Sequence, residues 1–86
     1  MHELSLAMEI CRIAESHVEP GQARRIVEVG VEVGDDAGVE ADNLAFCLEV
    51  LLGQPPFAGA RARLNRQVGD VLRVSYLEVE DGRADD

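Results

Sequence analysis

The pattern of hydrophobic and polar positions divides the chain into two helical and three extended segments. Over residues 3–18, apolar side chains recur at spacings of three and four, which is the period of an amphipathic helix. They are Leu4, Leu6, Ala7, Met8, Ile10, Cys11, Ile13, Ala14 and Val18. Pro20-Gly21 then ends the predicted helix, because neither residue continues one.

A second helix is predicted from residue 40 or 41 to residue 52. Its apolar side chains extend nearly all the way round, and only Asp42 and Glu49 keep a polar edge. Such a helix needs cover on more than one side, from the first helix and a sheet or from a partner. Gly53 and Pro55-Pro56 end it.

Three segments have the pattern of strands. In residues 25–34, Val27, Val29, Val31 and Val33 alternate with Glu28, Gly30 and Glu32, so the valines are predicted to form one buried face. Residues 60–65 and 71–80 predict two further strands, and the short turn between them favours a hairpin. After Val74, the apolar residues of the last strand switch from one face of the sheet to the other. This switch indicates either a bulge near Ser75-Tyr76 or burial of both faces.

The order helix, strand, helix, strand, strand predicts a two-layer α+β domain, with two helices packed on one face of a three-stranded mixed sheet. We expect this domain to occupy residues 1–80 and the tail, residues 81–86, to be disordered. On the open face of the sheet, Glu28 and Glu32 are candidates for pairing with Arg61, Arg63 or Arg73. That face is either solvated or a docking surface.

Charge and composition exclude several partners. The net charge is −9 and the chain has no lysine, which argues against a nucleic-acid partner because nucleic acid requires a basic face. No apolar run approaches the roughly 20 residues of a membrane span, so we expect neither a membrane span nor a secretory signal. Cys11 and Cys47 lie within apolar patterns, so we expect buried thiols and a reducing cytoplasm.

The first three residues carry the candidate chemistry. Met1-His2-Glu3 brings an α-amine, two backbone amides, an imidazole and a carboxylate together within three positions. Nitrogen-rich planar sets suit Ni(II) or Cu(II). The Met1 amine and the His2 amide and ring nitrogen can close two adjacent chelate rings, which leaves one in-plane position. The Glu3 amide, the Glu3 carboxylate or a more distant group could fill that position, although a His in second place is more often simply solvated.

These features resemble the HypA/HybF family of nickel-insertion accessory proteins. The resemblance rests on Met-His-Glu-Leu-Ser-Leu-Ala at residues 1–7, the valine strand that ends at Gly34, residues 38–50 and the closing segment 72–80. It covers nearly the whole chain in order. Family members carry a zinc module with two C-x-x-C pairs between the last two strands, but here a short turn at about 66–70 contains no cysteine. We therefore expect no structural zinc, since zinc needs four such ligands, and the short form is either natural or trimmed.

The resemblance implies a protein that delivers Ni(II) to nickel–iron hydrogenase or another nickel enzyme, together with a HypB-type GTPase and the hydrogenase large subunit. It places nickel on Met1, His2 and Glu3, with Glu40 as a candidate fourth or axial ligand. The alternative is a metal-free protein-interaction module that lacks the zinc module. An enzyme is not expected, because no serine has an evident base partner. The apolar second helix leaves a homodimer open.

Overall fold

The computed structural model describes residues 2–80. The elements, in chain order, are α1 (Glu3–Ser16), a 3-10 turn (Ala23–Arg25), β1 (Ile26–Gly34), α2 (Ala41–Leu52), β2 (Arg61–Gln67) and β3 (Leu72–Val79). Two helices lie against one three-stranded mixed sheet, which confirms the predicted α+β class. Met1 and residues 81–86 lie outside the described residues, so the domain bounds and the disorder of the tail stay predictions. Within residues 2–80, no helix is long and apolar enough to span a membrane.

The helices form where the periodicity predicted them, with one difference at the end of α1. The helix stops at Ser16, two residues earlier than predicted, and His17 takes the C-cap position. The Ser16 hydroxyl donates to the Ile13 carbonyl at 2.6 Å, and the His17 amide donates to the Ala14 carbonyl at 3.1 Å. These bonds occupy carbonyls that would otherwise lack a partner at the end of the helix.

The sheet order is β2-β1-β3, so the predicted hairpin between the last two strands is wrong. β1 pairs with β2 in parallel and with β3 in antiparallel orientation, and it is therefore the central strand. The crossover through α2 places β2 on one edge of β1, and β3 occupies the other edge of β1 and not the free edge of β2. Either order leaves two strand edges unpaired. In the observed order the central position belongs to β1, which is mostly buried, while the more exposed β2 and β3 form the edges.

The short connection between β2 and β3 crosses the end of β1. There the Gly34 amide donates to the Val71 carbonyl at 2.6 Å, and the Asp36 amide donates to the Gly69 carbonyl at 2.7 Å. The approach is close enough that a Cβ atom on Gly34 would lie 2.1 Å from the Gly69 carbonyl oxygen. Glycine at position 34 is therefore required by contact with the crossing loop.

Two irregularities in the strand pairing change which face of the sheet the side chains lie on. The pairing of β1 with β3 shifts between Ile26 and Glu28, so Ile26 is buried and Val27 is 43% exposed. The assignment of Val27 to the buried face is thus wrong, because a bulge reverses the alternation at the start of the strand. A second shift, between Gly30 and Val31, skips Ser75 and confirms the bulge predicted in the last strand.

The core lies between the helices and one face of the sheet. Its fully buried large side chains are Val29, Val31, Leu44, Leu48 and Leu52. The opposite side of α2 is open, and there Phe46 is 66% exposed and Val50 is 44% exposed. The apolar circumference of α2 is therefore only partly covered by its own chain.

On the open face of the sheet, Glu32 forms an expected charged pair and Glu28 does not. Arg73 donates to Glu32 at 2.7 Å across β3 and β1. Glu28 lies opposite Arg61 in the register but accepts its hydrogen bond from the Tyr76 hydroxyl. That bond raises the pKa of Tyr76, because the neighbouring carboxylate favours the protonated phenol.

Candidate metal centre

The structure brings the starts of the two helices together. Glu3 is the first residue of α1, and Glu40 is the N-cap residue of α2. The Glu40 amide donates to Glu3 Oε2 at 2.9 Å, although the two residues are 37 positions apart in the chain. Two of the predicted site residues are therefore direct neighbours.

The Glu3 carboxylate is held on both of its oxygens. Oε2 accepts from the Glu40 amide, and Oε1 accepts from Asn43 Nδ2 at 3.3 Å. The hydrogen bond from the Glu40 amide is the main cause that lowers the pKa of Glu3, since it favours the charged carboxylate. The carboxylate also lies at the N-terminal end of α2, where the helix dipole favours a negative charge.

Glu40 has a structural function in addition to its candidate role as a ligand. Its Oε1 accepts from the Asn43 amide at 3.2 Å, which caps the first turn of α2. The residue is exposed. A metal ion bound by Glu40 could use the oxygen that the cap does not occupy.

His2 is the N-cap residue of α1 and is exposed, with an extended backbone at φ −92° and ψ 112°. Its carbonyl accepts from the Leu6 amide at 3.2 Å, while its imidazole makes no capping hydrogen bond. Met1 lies outside the described residues. Between residues 2 and 80, no three His, Cys, Asp or Glu side chains converge on one point that could hold a metal ion. Among the described residues, side chains alone therefore do not converge on a metal centre, and backbone amides are the other potential donors.

The backbone at this point has such donors available. The first four amides of an α-helix have no acceptor within the helix. The Glu3 amide belongs to this group because Glu3 opens α1. Its coordination to a metal would therefore break no hydrogen bond of the α-helical ladder.

Asn43 was not predicted from the sequence. It contacts both acidic residues, through its side chain to Glu3 and its backbone to Glu40. A local signal was present, since Glu40 precedes Asn43 by three residues, the spacing of an N-cap and the amide that it caps. The contact with Glu3 spans 40 positions and has no local signal.

The chain was compared with known proteins. The family described as "Hydrogenase/urease nickel incorporation, metallochaperone, hypA" matches residues 1–73 of the 86. The chain belongs to the HypA family. The match includes Met1, His2, Glu3 and Glu40, which are the candidate ligands.

Individual relatives agree with this assignment. The hydrogenase maturation factor HypA of Azoarcus sp. (strain BH72) is 42% identical over 60 residues, which cover 70% of this chain and 53% of the relative. HypA of Geobacter metallireducens is 33% identical over 69 residues, covering 80% of this chain and 60% of the relative. HypA of Psychromonas ingrahamii is 36% identical over 80 residues, covering 92% and 70%. The chain thus spans little more than half the length of the first two relatives, and their whole activity applies to it only as a proposal.

Proposed function

We propose that this chain binds Ni(II) at its N-terminus and helps to insert it into a nickel enzyme, of which hydrogenase is the first candidate. The ligands would be the Met1 amine, the His2 amide and imidazole, and the Glu3 amide, with Glu40 as an axial ligand or as the fourth ligand in place of the Glu3 amide. The observation that carries the proposal is the bond between Glu3 and the Glu40 amide. It holds the residues nearest the N-terminus beside the second candidate carboxylate.

The electrostatics of this set suit a divalent cation. Two helix N-termini meet here, and by themselves they would disfavour a positive ion. Two deprotonated amides would contribute two negative charges, which balance Ni(II), while the amine and imidazole bind as neutral donors. A nitrogen-rich planar set of this kind is one that Ni(II) prefers.

Titration of Ni(II) by calorimetry, with Met1 as the first residue, tests the proposal. His2→Ala is expected to abolish stoichiometric binding because it removes the imidazole and one chelate ring. A single Gly placed before Met1 should do the same, since the primary amine becomes an amide. Glu40→Ala should have a milder effect, because a carboxylate is the more replaceable ligand.

The matched controls are a Gly added after residue 86 and His17→Ala, at the exposed C-cap of α1. Neither should change the affinity. Nickel bound equally well by an N-terminally extended His2→Ala variant would remove the site from Met1-His2-Glu3.

Binding should also depend on pH. Nickel must displace protons from the amine and from the two amides before these groups can bind it. The affinity is therefore expected to fall steeply between about pH 8 and pH 6. An affinity that stays constant over this range would argue for carboxylate ligands in place of the N-terminal nitrogens.

The wider role follows from the family as a proposal. We infer that the partners are a HypB-type GTPase and the hydrogenase large subunit, and that the chain transfers its metal without catalysing a reaction of its own. Nickel is then the cargo. The cytoplasmic location expected from the sequence stays a prediction.

A second candidate is a metal-free interaction module. It is favoured by the apolar side chains exposed on the helices, which are Leu4, Met8, Phe46 and Val50. A partner, or a second copy in a homodimer, could cover them. Nickel titration separates the two candidates, and light scattering at several concentrations reports the oligomeric state.

A further inference from the structure

Three hydrogen bonds join Glu3, Glu40 and Asn43 in a closed ring. The Glu40 amide donates to one Glu3 oxygen at 2.9 Å, and Asn43 Nδ2 donates to the other at 3.3 Å. The Asn43 amide completes the ring by donating to the Glu40 carboxylate at 3.2 Å. The ring connects the first residue of α1 to the cap and first turn of α2.

We propose that the Glu3 carboxylate and the Asn43 side chain are positioning residues for the N-terminal nickel site and that neither is a ligand. Both Glu3 oxygens already accept hydrogen bonds, so a metal could recruit this carboxylate only by breaking the ring. The carboxylate instead fixes the backbone that carries the Glu3 and His2 amides. This inference rests on the proposed nickel function and adds Asn43 to its site.

The physical need for such an anchor arises from the position of the site. Residues at the end of a chain are poorly ordered unless other groups hold them. Ligands that are correctly placed for only a fraction of the time lower the apparent affinity by that fraction. The ring raises this fraction and keeps Glu40 within reach of a metal held by the first three residues.

Asn43→Ala tests the side chain in isolation. The substitution removes the amide that donates to Glu3 but leaves the backbone amide that donates to Glu40, so the α2 cap remains. We expect nickel affinity to fall roughly three- to tenfold, which is the scale of one lost hydrogen bond. Asp42→Ala is the matched control on the same turn, because its only polar side-chain contact within residues 2–80 is with Arg66 at 3.5 Å.

A double variant that exchanges the hydrogen-bond donor and acceptor between positions 3 and 43 separates a positioning role from a general loss of structure. Asn43→Asp would place a carboxylate opposite the Glu3 carboxylate, so this single variant loses the bond. In Glu3→Gln, by contrast, the Asn43 amide can turn over and accept from the new amide donor at position 3. In the double variant, the new amide group at position 3 can donate to the new carboxylate at position 43, while its oxygen still accepts from the Glu40 amide. We expect Asn43→Asp to bind nickel more weakly, Glu3→Gln to change the affinity less, and the double variant to recover most of the parent affinity.

The visible absorption spectrum of the nickel complex is the second readout. All these variants keep the four nitrogen donors, so the band of the planar complex should be the same in each at saturation. A new band in Glu3→Gln would show that the carboxylate had been a ligand, and it would overturn the proposal. So would Asn43→Ala binding as tightly as Asp42→Ala, or a double variant no tighter than Asn43→Asp.

These outcomes differ from a failure of the proposed function itself. If His2→Ala binds nickel as well as the parent, there is no N-terminal site to position. If His2→Ala abolishes binding while the ring variants have no effect, the N-terminal site stands and only the positioning role fails. Thermal melts of each apo variant show whether an affinity change arises from unfolding.

Discussion

Glu3 illustrates how the role of one side chain depends on its surroundings. Its place at the start of α1 predicts a favourable interaction with the dipole of its own helix. In the structure both oxygens instead accept from α2, through the Glu40 amide and Asn43. The same carboxylate therefore stabilises the starts of two helices and joins them.

The two cysteines should differ in reactivity. Burial raises the pKa of the Cys11 thiol to about 11, and the charge of Glu15 adds to this effect. The thiolate is the reactive form, and at pH 8 only about one Cys11 in a thousand would carry it. Cys47 is only partly buried.

We therefore expect iodoacetamide at pH 8 to modify Cys47 well before Cys11 in the folded protein. Peptide mass spectrometry after timed quenching measures the two rates. Cys47→Ser should leave a nearly inert protein, whereas denatured protein should react at both positions equally. Faster modification of Cys11 in the folded state would contradict the burial of its thiol.

Among the elements, the crossing loop at residues 68–71 is the least ordinary. It connects two strands that lie on opposite sides of β1, and it is held by backbone hydrogen bonds to residues 34–36. Only a residue without a side chain fits where the loop passes over Gly34. The turn between β2 and β3 is thus integrated with the central strand.

Gly34→Ala is predicted to destabilise the fold. The added Cβ would lie 2.1 Å from the Gly69 carbonyl oxygen, which is backbone and can move only if the loop shifts. Overpacking of this kind costs about 1–3 kcal/mol of unfolding free energy. Urea melts followed by circular dichroism measure the change.

The matched control is Gly53→Ala. A Cβ there meets its nearest atom at 3.4 Å, and φ is −84°, so alanine fits without strain. Its stability should remain close to that of the parent. Equal stability of the Gly34→Ala protein would show that the loop does not press on the strand.

For the whole molecule, the core shared by the helices and the sheet provides the stability. The fully buried side chains of α2 and β1 meet in this core through apolar contacts. A domain of this size is marginally stable, so one buried side chain is a large part of the total. Metal binding at the N-terminus is therefore expected to add to a fold that already exists.

Leu48→Ala should cost about 2–5 kcal/mol of unfolding free energy in metal-free protein. Leu48 is fully buried, whereas Phe46, on the outer side of the same helix, is 66% exposed and provides the control. Phe46→Ala should change stability far less. The absence of a cooperative urea transition in the metal-free parent would contradict the claim that the core alone suffices.

Metal analysis tests the expectation about zinc. Protein purified without chelators should contain no stoichiometric zinc, because the chain has two cysteines and two histidines and lacks the C-x-x-C pairs of the family module. Adding nickel should then give one equivalent of bound metal. One tightly held zinc per chain would point to ligands contributed by a second molecule.

The sequence alone determined the elements and the candidate donors. Helix and strand periodicity is local, and glycine and proline mark the ends of elements, so both helices and all three strands were placed to within a few residues. The donors proposed at Met1, His2 and Glu3 are neighbours in the covalent chain, and no folding is needed to bring them together. The bulge near Ser75 could also be predicted, because a switch of the apolar residues from one face of a strand to the other is a local pattern.

Only the tertiary structure decided the strand order, the reversal at Val27 and the ring around Glu3. The order depends on which edge of β1 each strand occupies, and nothing local in β2 or β3 records that choice. The shift at Val27 follows from the pairing of β1 with a strand about 50 residues later in the chain. Asn43 and Glu3 lie 40 positions apart, and they meet because burial of the apolar faces of α1 and α2 brings the two helix starts together.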